Sequence, residues 1–196
     1  PRSQGLSPEE EQPGSRGGSD PLRHARAEPA VLFRGGQGPC AGGLVDRPVS
    51  LSLADLRALP ARTQITRHDC VEGWSAIGKW RGAQLGPLLQ TVGLKPNARF
   101  AVMHCADNYA GGADMYYESI DLVDGFHPQT ILAYDLNGQQ LDVAHGAPLR
   151  LRVERQLGYK HAKYVTAIAI VDSFAGIAGG KGGYWEDQGY QWWAGI

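Results

Sequence analysis

Short segments in which apolar and polar residues alternate follow one another through most of the chain, with the two-residue period of a β-strand. The clearest are Ala98–Cys105, Pro148–Glu154 and Lys163–Phe174. The third is rich in β-branched residues, which favours a buried strand. In the second, leucine or valine alternates with arginine, which predicts a half-exposed strand. These patterns predict a domain built mainly of β-strands.

A β-hairpin is predicted in the segment ILAYDLNGQQLDV, where the dipeptide Asn137-Gly138 stands between two apolar runs. Asparagine followed by glycine is typical of a two-residue hairpin turn, since both positions take positive φ angles. The segment therefore predicts two antiparallel strands joined by a tight turn.

Two short helices are predicted before these strands. SLSLADLRALP spaces its leucines around a helix, with Ser50 or Ser52 as the N-terminal cap and Pro60 as the stop. GPLLQTVG places Pro87 in the first helical turn and Gly93 at the end. Together with the strands, the helices predict an α+β fold that is rich in β-structure.

The first 43 residues have a different composition, rich in Gly, Pro, Ser, Arg and Glu. Their only apolar run is Val31–Phe33, which is too little apolar surface to order the segment. We therefore predict a flexible N-terminal arm over residues 1–43 and one folded domain over residues 44–196.

Bulk composition excludes several classes of function. The formal net charge is −1, so no basic field is available to bind nucleic acid or an anionic membrane surface. No apolar run approaches the roughly 18 residues of a membrane helix. The three cysteines include no CxxC pair, which excludes thioredoxin-like chemistry, zinc ribbons and covalently attached haem.

Candidate chemistry centres on the segment RHDCVEGWSAIGKWRG, Arg67–Gly82, which is predicted to be the end of a strand leading into a loop. Its cysteine, Cys70, has three interpretations: a nucleophile, a metal ligand or an inert core residue. Arg67, His68 and Lys79 would favour the thiolate, which both reactive interpretations require.

Two further interpretations use histidines. A cysteine hydrolase would pair Cys70 with a base, for which His104, His145 and His161 are candidates. A zinc site would take ligands from His68, Cys70, His104 and Cys105. Against zinc, adjacent residues of a strand such as His104 and Cys105 point to opposite faces.

Two glycine-containing segments later in the chain combine several cations. HGAPLR carries His145 and Arg150, and GYKHAKY carries Lys160, His161 and Lys163. Converging cations and free backbone N–H groups form the type of site that binds phosphate or a polyanionic heterocycle. The alternative is a solvated charged surface.

Five blocks in order resemble the sulfite-oxidase-type molybdopterin-binding oxidoreductase domain, particularly its small bacterial members. They are DCVEGWSAIGKWRGAQL, the DNY loop, LAYDLNGQQLDVAHGAPLRLRV, GYKHAKYV and GYWEDQGYQWWAGI. The resemblance runs from about Leu44 to Ile196. The resemblance implies the sulfite-oxidase fold, with mixed β-sheets and short helices, and one molybdenum–molybdopterin cofactor.

The resemblance also implies roles for individual residues. Cys70 matches the cysteine that ligates molybdenum, and Glu72 matches the carboxylate of the C-x-E motif in the methionine-sulfoxide-reductase branch. Cofactor contacts are implied for His145, Arg150, His161, Ala162 and Lys163, and less directly for the adjacent Lys160. Cys105 and Asp107 fall on the loop that would line the site, Asp107 as a catalytic residue.

The activity implied is oxygen-atom transfer of the sulfite-oxidase type, with electrons passing to a separate carrier such as a c-type cytochrome. The alternative is reduction of an S- or N-oxide, as by methionine sulfoxide reductases. A rival of another class is a non-catalytic molybdopterin-binding or electron-transfer subunit. A sulfite site in this family uses arginines, for which Arg34, Arg67 and Arg81 are available, and the resemblance implies a periplasmic location.

Overall fold

The computed structural model describes residues 30–34, 43–108 and 115–196. Four short helices occur in these ranges: α1 Leu53–Ala58, α2 Leu85–Val92, α3 Leu122–Gly125 and α4 Tyr184–Asp187. The strands are β1 Ala30–Arg34, β2 Val49–Ser52, β3 Ala61–Asp69, β4 Ser75–Gln84, β5 Phe100–Asn108, β6 Met115–Asp121, β7 Ile131–Leu136, β8 Gln139–Gln140, β9 Arg150–Arg152 and β10 Val165–Val171.

The described strands form two sheets. The first has the order β2-β1-β10-β5-β6, in which β1 and β10 run parallel and the other neighbours antiparallel. The second has the order β3-β4-β7-β8, with β9 also paired to β7. One face of each sheet and helices α1 and α2 contribute to a common apolar core. Burial of this apolar surface is the main favourable term for the fold.

Strand β1 extends the folded domain further toward the N-terminus than predicted. It pairs with β10 and β2 in the first sheet, so the flexible-arm prediction is wrong for Ala30–Arg34. The short apolar run Val31–Phe33 suffices because the strand is paired on both sides, with β2 and β10, instead of building a core of its own. The rest of the predicted arm, except Gly43, lies outside the described residues, as does Cys40.

Local sequence signals predict the hairpin and both helices well. Asn137 and Gly138 have φ angles of 53° and 82°, as a tight turn between β7 and β8 requires. Ser52 caps α1 through a reciprocal capping box with Asp55. Gly93 ends α2 with a φ of 69°. No helix among the described residues is long and apolar enough to cross a membrane.

The prediction of a half-exposed strand at Pro148–Glu154 is wrong, because every residue of β9 is buried. Arg150 is 5% exposed and Arg152 is not exposed at all. Their guanidinium carbons lie 4.9 Å and 4.4 Å from the centre of the Trp80 ring. Buried arginines persist only where their donors are paired, and both side chains bond to groups near the candidate site.

Lys160 is a second buried cation, and its position corrects its predicted role in cofactor binding. Its ammonium donates to Oε1 of both Glu118 and Glu186, each at 2.5 Å, and all three side chains are fully buried. Burial raises the pKa of Glu118, which favours a protonated carboxyl beside one ion pair. The cluster joins the 3-10 helix Gly158–Lys160 and α4 to β6, so Lys160 has a structural role.

We predict that Lys160→Met lowers the free energy of unfolding by about 3–5 kcal/mol, because removal of one partner leaves buried charge uncompensated. Urea denaturation measures this loss. Lys95→Met, at an exposed position, is the matched control and should change little. If Lys160→Met is as stable as wild type but no longer binds the cofactor, the cofactor-binding role that the sequence predicted for Lys160 would be correct.

Candidate active site

A cavity of about 1230 Å³ opens between the turn that follows β3, the end of β5 and two loops that flank β9. Seven of the ten residues predicted for the site line it: Cys70, Glu72, Asp107, His145, Arg150, His161 and Lys163. Residues from segments about 90 positions apart in sequence are thus brought to one surface. The three others, Cys105, Lys160 and Ala162, do not line it.

Cys70 lies in the tight turn between β3 and β4, as the sequence predicts. Its N–H donates to the carbonyl of Trp74 at 2.9 Å, and its carbonyl accepts from the N–H of Gly73 at 3.0 Å. Gly73 has a φ of +88°, which only glycine adopts readily. The turn holds a free, partly exposed thiol at the cavity wall.

Glu72 stands beside the thiol. The Cys70 Sγ lies 3.9 Å from Glu72 Oε2, and the same oxygen accepts a hydrogen bond from the indole N–H of Trp74 at 3.1 Å. One hydrogen-bonded turn therefore presents a sulfur donor, a carboxylate and an aromatic ring to the cavity.

Asp107, near the end of β5, contributes a second carboxyl group to the cavity wall. Burial raises the pKa of Asp107 to about 6, although Lys163 acts in the opposite direction. Its buried Oδ1 has no hydrogen-bond partner among the residues that the structure describes. This carboxyl group can therefore hold a proton at mildly acidic pH.

The two predicted cationic loops meet at the cavity. Arg150 donates to the carbonyls of His145 and His161, at 2.9 Å and 3.3 Å. Lys163 Nζ donates to the carbonyl of Ala144 at 2.7 Å. A single guanidinium thus joins the loop before β9 to the loop after it, as the prediction of a shared anion site requires.

The loop residues of the GYKHAKY segment face in different directions. His161 lines the cavity, and its Nε2 donates to the carbonyl of Gln156 at 3.0 Å, which leaves Nδ1 as an unpaired buried acceptor. Burial lowers the pKa of His161, so the ring is neutral. Ala162 is a core residue, and its carbonyl accepts from the N–H of Leu151 at 2.8 Å.

Cys105 belongs to the apolar core and is 4% exposed, so its predicted contact with the cofactor is corrected as well. Burial raises the pKa of this thiol well above its usual range, which disfavours the thiolate. Alternation along β5 explains the position, because Ala101, Met103 and Cys105 all face the core.

His68 lines the cavity, and the sequence identified it as a zinc candidate and as a residue that would favour the Cys70 thiolate. Its Nδ1 lies 2.8 Å from Nη1 of Arg152, and its ring packs edge-on against His161 with centroids 4.9 Å apart. Burial, together with the charge of Arg152, lowers the pKa of His68 to about 4. No local sequence signal links His68 to Arg152, which lies 84 positions later.

The alternatives based on cysteine find less support in this geometry. Among the residues that the structure covers, no group of three or more His, Cys, Asp or Glu is placed to hold a metal ion. The zinc set of His68, Cys70, His104 and Cys105 is therefore not assembled. The hydrogen bonds of Cys70 given above include none to a histidine, which a cysteine hydrolase would use as its base.

The polar and charged groups that line the cavity suit a large polar cofactor that is held through a sulfur ligand and a phosphate group. Four of the lining residues carry a buried polar atom that has no partner in the described ranges: Asp107 Oδ1, Arg150 Nε, His161 Nδ1 and Trp80 Nε1. The cations of Arg150 and Lys163 lie on the same wall as these atoms. Since buried polar groups in native proteins are normally paired, the wall has the character of a binding site.

Comparisons with known proteins agree with this site. The family model described as the oxidoreductase molybdopterin binding domain matches residues 41–175. A candidate protein-methionine-sulfoxide reductase subunit, YedZ1, of Azospira oryzae is 44% identical over 78% of this chain and 53% of its own length. The protein-methionine-sulfoxide reductase catalytic subunit MsrP of Xanthomonas axonopodis pv. citri is 34% identical over 67% of this chain and 44% of its own.

The chain spans about half the length of these two relatives. Among solved structures, the sulfane dehydrogenase SoxCD of Paracoccus pantotrophus has the same fold, with a TM-score of 0.63 and 23% identity over 74% of this chain and 38% of that one. The predicted fold, family and cofactor class are thereby confirmed. With its cavity, its thiol-bearing turn and a family match over residues 41–175, this chain belongs to the molybdopterin-binding oxidoreductase domain family.

Proposed function

We propose that this chain is the catalytic domain of an oxidoreductase that transfers an oxygen atom and that works in the reductive direction, on S-oxides such as methionine sulfoxide. The turn that places Glu72 Oε2 3.9 Å from Cys70 Sγ on the cavity wall carries the proposal. It is the C-x-E arrangement of the methionine-sulfoxide-reductase branch, and both sequence relatives described above bear names of that branch.

Residues on the cavity wall fit molybdopterin. Cys70 Sγ would ligate the metal, and His145, Arg150 and Lys163 would hold the phosphate and pterin. His161 Nδ1 would accept a hydrogen bond from the cofactor's ring. When bound, the cofactor supplies the metal centre at which oxygen is exchanged, while the protein orients it and controls access.

The wall near Cys70 favours an uncharged sulfur substrate. It includes the apolar residues Val71, Trp74 and Met115, which suit the thioether product of sulfoxide reduction. Arg67 and Arg81, two arginines that sulfite could use, are exposed and are not among the residues that line the cavity. The side chain of Arg34 lies outside the described residues.

Asp107 would supply a proton. Reduction of a sulfoxide to a thioether consumes two electrons and two protons and releases water. A carboxyl group with a pKa near 6 on the cavity wall can donate one of these protons at mildly acidic pH.

Sulfite oxidation is the second candidate, and one observation favours it. Arg150 is a buried cation that lines the cavity and whose Nε has no partner within the described part of the chain, and Lys163 lines the same cavity. Together they could hold an anionic substrate if the cofactor leaves them accessible.

The proposal includes a separate electron carrier, such as a c-type cytochrome, and a periplasmic location. Both follow from the family resemblance. The relatives named above are described as subunits, which agrees with a division of labour between oxygen transfer and electron supply.

The direct test measures both directions on one cofactor-loaded preparation. We expect reduction of methionine sulfoxide with a dithionite-reduced dye as electron donor, and much slower oxidation of sulfite with ferricyanide as acceptor. A larger kcat/KM for sulfite would reverse the proposed direction. Absence of both activities in protein that contains molybdenum would favour the non-catalytic subunit.

Replacement of the proposed metal ligand tests the site itself. Cys70→Ser should lose most of its molybdenum or its activity, because serine supplies a hard oxygen where a soft sulfur is required. Elemental analysis per mole of folded protein measures the metal. Cys105→Ala is the matched control, since that thiol lies in the core, and it should keep both. Equal molybdenum and activity in Cys70→Ser and the control would contradict the assignment.

A third prediction concerns pH. Because the pKa of Asp107 is raised, the carboxyl group holds its proton up to about pH 6 and loses it above. We expect kcat/KM for sulfoxide reduction to fall as pH rises through about 6. Asp107→Asn should remove this step and lower the rate at pH 5 about 100-fold. The exposed Asp46→Asn should preserve the wild-type profile, and an unchanged profile in Asp107→Asn would exclude Asp107 as the donor.

A further inference from the structure

A line of buried hydrogen bonds runs from Glu154 through Arg152 to Nδ1 of His68. The carboxylate of Glu154 accepts two hydrogen bonds from Arg152, from Nη2 at 2.6 Å and from Nε at 2.9 Å. Arg152 Nη1 in turn lies 2.8 Å from His68 Nδ1. Gln64 supports the far end by donating to Glu154 at 3.0 Å. Since Arg152 and Glu154 are almost fully buried, the geometry of the line is fixed by packing.

This line fixes the tautomer of His68. A guanidinium has hydrogen-bond donors and no acceptor, so His68 Nδ1 must be the acceptor in this bond. The hydrogen of the neutral ring is therefore on Nε2. Among the described residues, none accepts a hydrogen bond from Nε2. The network thus presents one N–H group in a fixed orientation and in one tautomer.

The surroundings of Nε2 place this N–H group in the cavity, at the end that contains the thiol. His68 lines the cavity, two residues before Cys70, and its ring centroid lies 5.8 Å from that of Trp74. Gly158, which also lines the cavity, packs closely against this ring, since a Cβ atom added at position 158 would lie only 2.7 Å from Nε2. The donor and the thiol turn therefore lie on the same wall.

The neighbouring ring of His161 presents a hydrogen-bond acceptor where His68 presents a donor. His161 donates through Nε2 to the carbonyl of Gln156 and exposes the acceptor Nδ1. Of the two rings, only His68 can bind an oxygen atom that carries lone pairs and no hydrogen. An oxygen bonded to sulfur, in a sulfoxide or in sulfite, is such an acceptor.

We propose that His68 is a positioning residue whose Nε2–H donates a hydrogen bond to the sulfur-bound oxygen of the substrate, and that Arg152 and Glu154 keep this donor in place. The inference rests on the proposed oxygen-atom transfer at Cys70. Its ligand class is any small S-oxide or sulfur oxyanion, and the choice between the two is left to the experiment.

Two substitutions test the roles of the two ring nitrogens of His68, Nδ1 and Nε2, separately. His68→Asn keeps an oxygen at the position of Nδ1, which can still accept from Arg152, and removes the donor that faces the cavity. His68→Gln reaches the position of Nε2 and can restore an N–H donor there. His127→Asn is the matched control, because His127 bonds to the N–H of Gln129 and does not line the cavity.

All four cofactor-loaded proteins, wild type included, are assayed with methionine sulfoxide and with sulfite. A second readout is independent of turnover: the Kd of methionine sulfone, a non-reacting S-oxide, and that of sulfate, both by titration calorimetry. Molybdenum and pterin contents are measured for each protein, so that a loss of cofactor is distinguished from a loss of substrate binding.

We expect His68→Asn to keep its cofactor and to raise both KM and the Kd of the matching probe about tenfold, the effect of one neutral hydrogen bond. His68→Gln should recover most of this loss, and His127→Asn should resemble wild type. Unchanged KM and Kd in His68→Asn would overturn the inference, as would an equal loss in His68→Gln.

Failure of the proposed function gives a different result. If wild-type protein with full cofactor turns over neither substrate, the oxygen-transfer proposal fails, and the Kd values of the two probes still decide whether His68 binds sulfur-bound oxygen. Tight binding of sulfate but not of the sulfone would assign the site to oxyanions, and the reverse would assign it to neutral S-oxides. A wild type that binds neither probe would overturn the inference.

Discussion

Two arginines of one short strand, buried with their charges, are the constraint on which this site depends. A guanidinium taken out of water must have its donors paired. Arg152 meets this need with Glu154 and His68, and Arg150 meets it in part, with the carbonyls of His145 and His161 bound to Nη1 and Nη2 while its Nε has no partner among the described residues. The bonds to His145, His161 and His68 tie three segments of the cavity wall to β9. Because the loss of any of these bonds would leave buried charge without a partner, the cavity wall is held in one arrangement.

The ring of Trp80 completes this arrangement from the neighbouring part of the sheet. Both guanidinium groups lie within 5 Å of its centre, a geometry in which cation and aromatic face attract each other. Strand β4, which carries Trp80, begins just after the turn that holds Cys70. Trp80 therefore adds to the contacts of His68 with Arg152 and His161 in connecting the predicted metal ligand to the predicted phosphate-binding loops. Such a connection restricts the distance between the two ends of a bound cofactor.

Local signals predicted those parts of the fold that depend on neighbouring residues. The turn at Asn137-Gly138, the capping box at Ser52 and the strand end before Cys70 each follow from a few adjacent positions. Seven of the residues that were predicted from the motif resemblance line one cavity in the structure. What the sequence could not show is which cations have distant partners. Lys160 looks equivalent to Lys163 in the segment GYKHAKY, yet its two carboxylates come from positions 118 and 186.

The same limit explains the misassigned strand and the overlooked histidine. Arginine alternating with leucine indicates a solvent-facing side only if nothing else pairs the charge, and the partners of Arg152 are a carboxylate two residues away and a histidine 84 positions earlier. His68 looked like a metal ligand because it stands near Cys70 in sequence. Its other neighbour, Arg152, becomes apparent only when the second sheet is assembled.

Register in the hairpin of β3 and β4 determines which chemistry reaches the cavity. Nine consecutive residue pairs join the strands, so His68 and Trp80 share the inner face, while Ile65 and Lys79 share the exposed one. Because side chains alternate, a slip of one residue in either strand would exchange these sets. Two kinds of hydrogen bond prevent such a slip: the backbone bonds within the Cys70 turn, and the bond between His68 and Arg152, which are far apart in sequence. A loss of the distant bond would therefore affect the inner face first, while the thiol turn, which closes on itself, would persist.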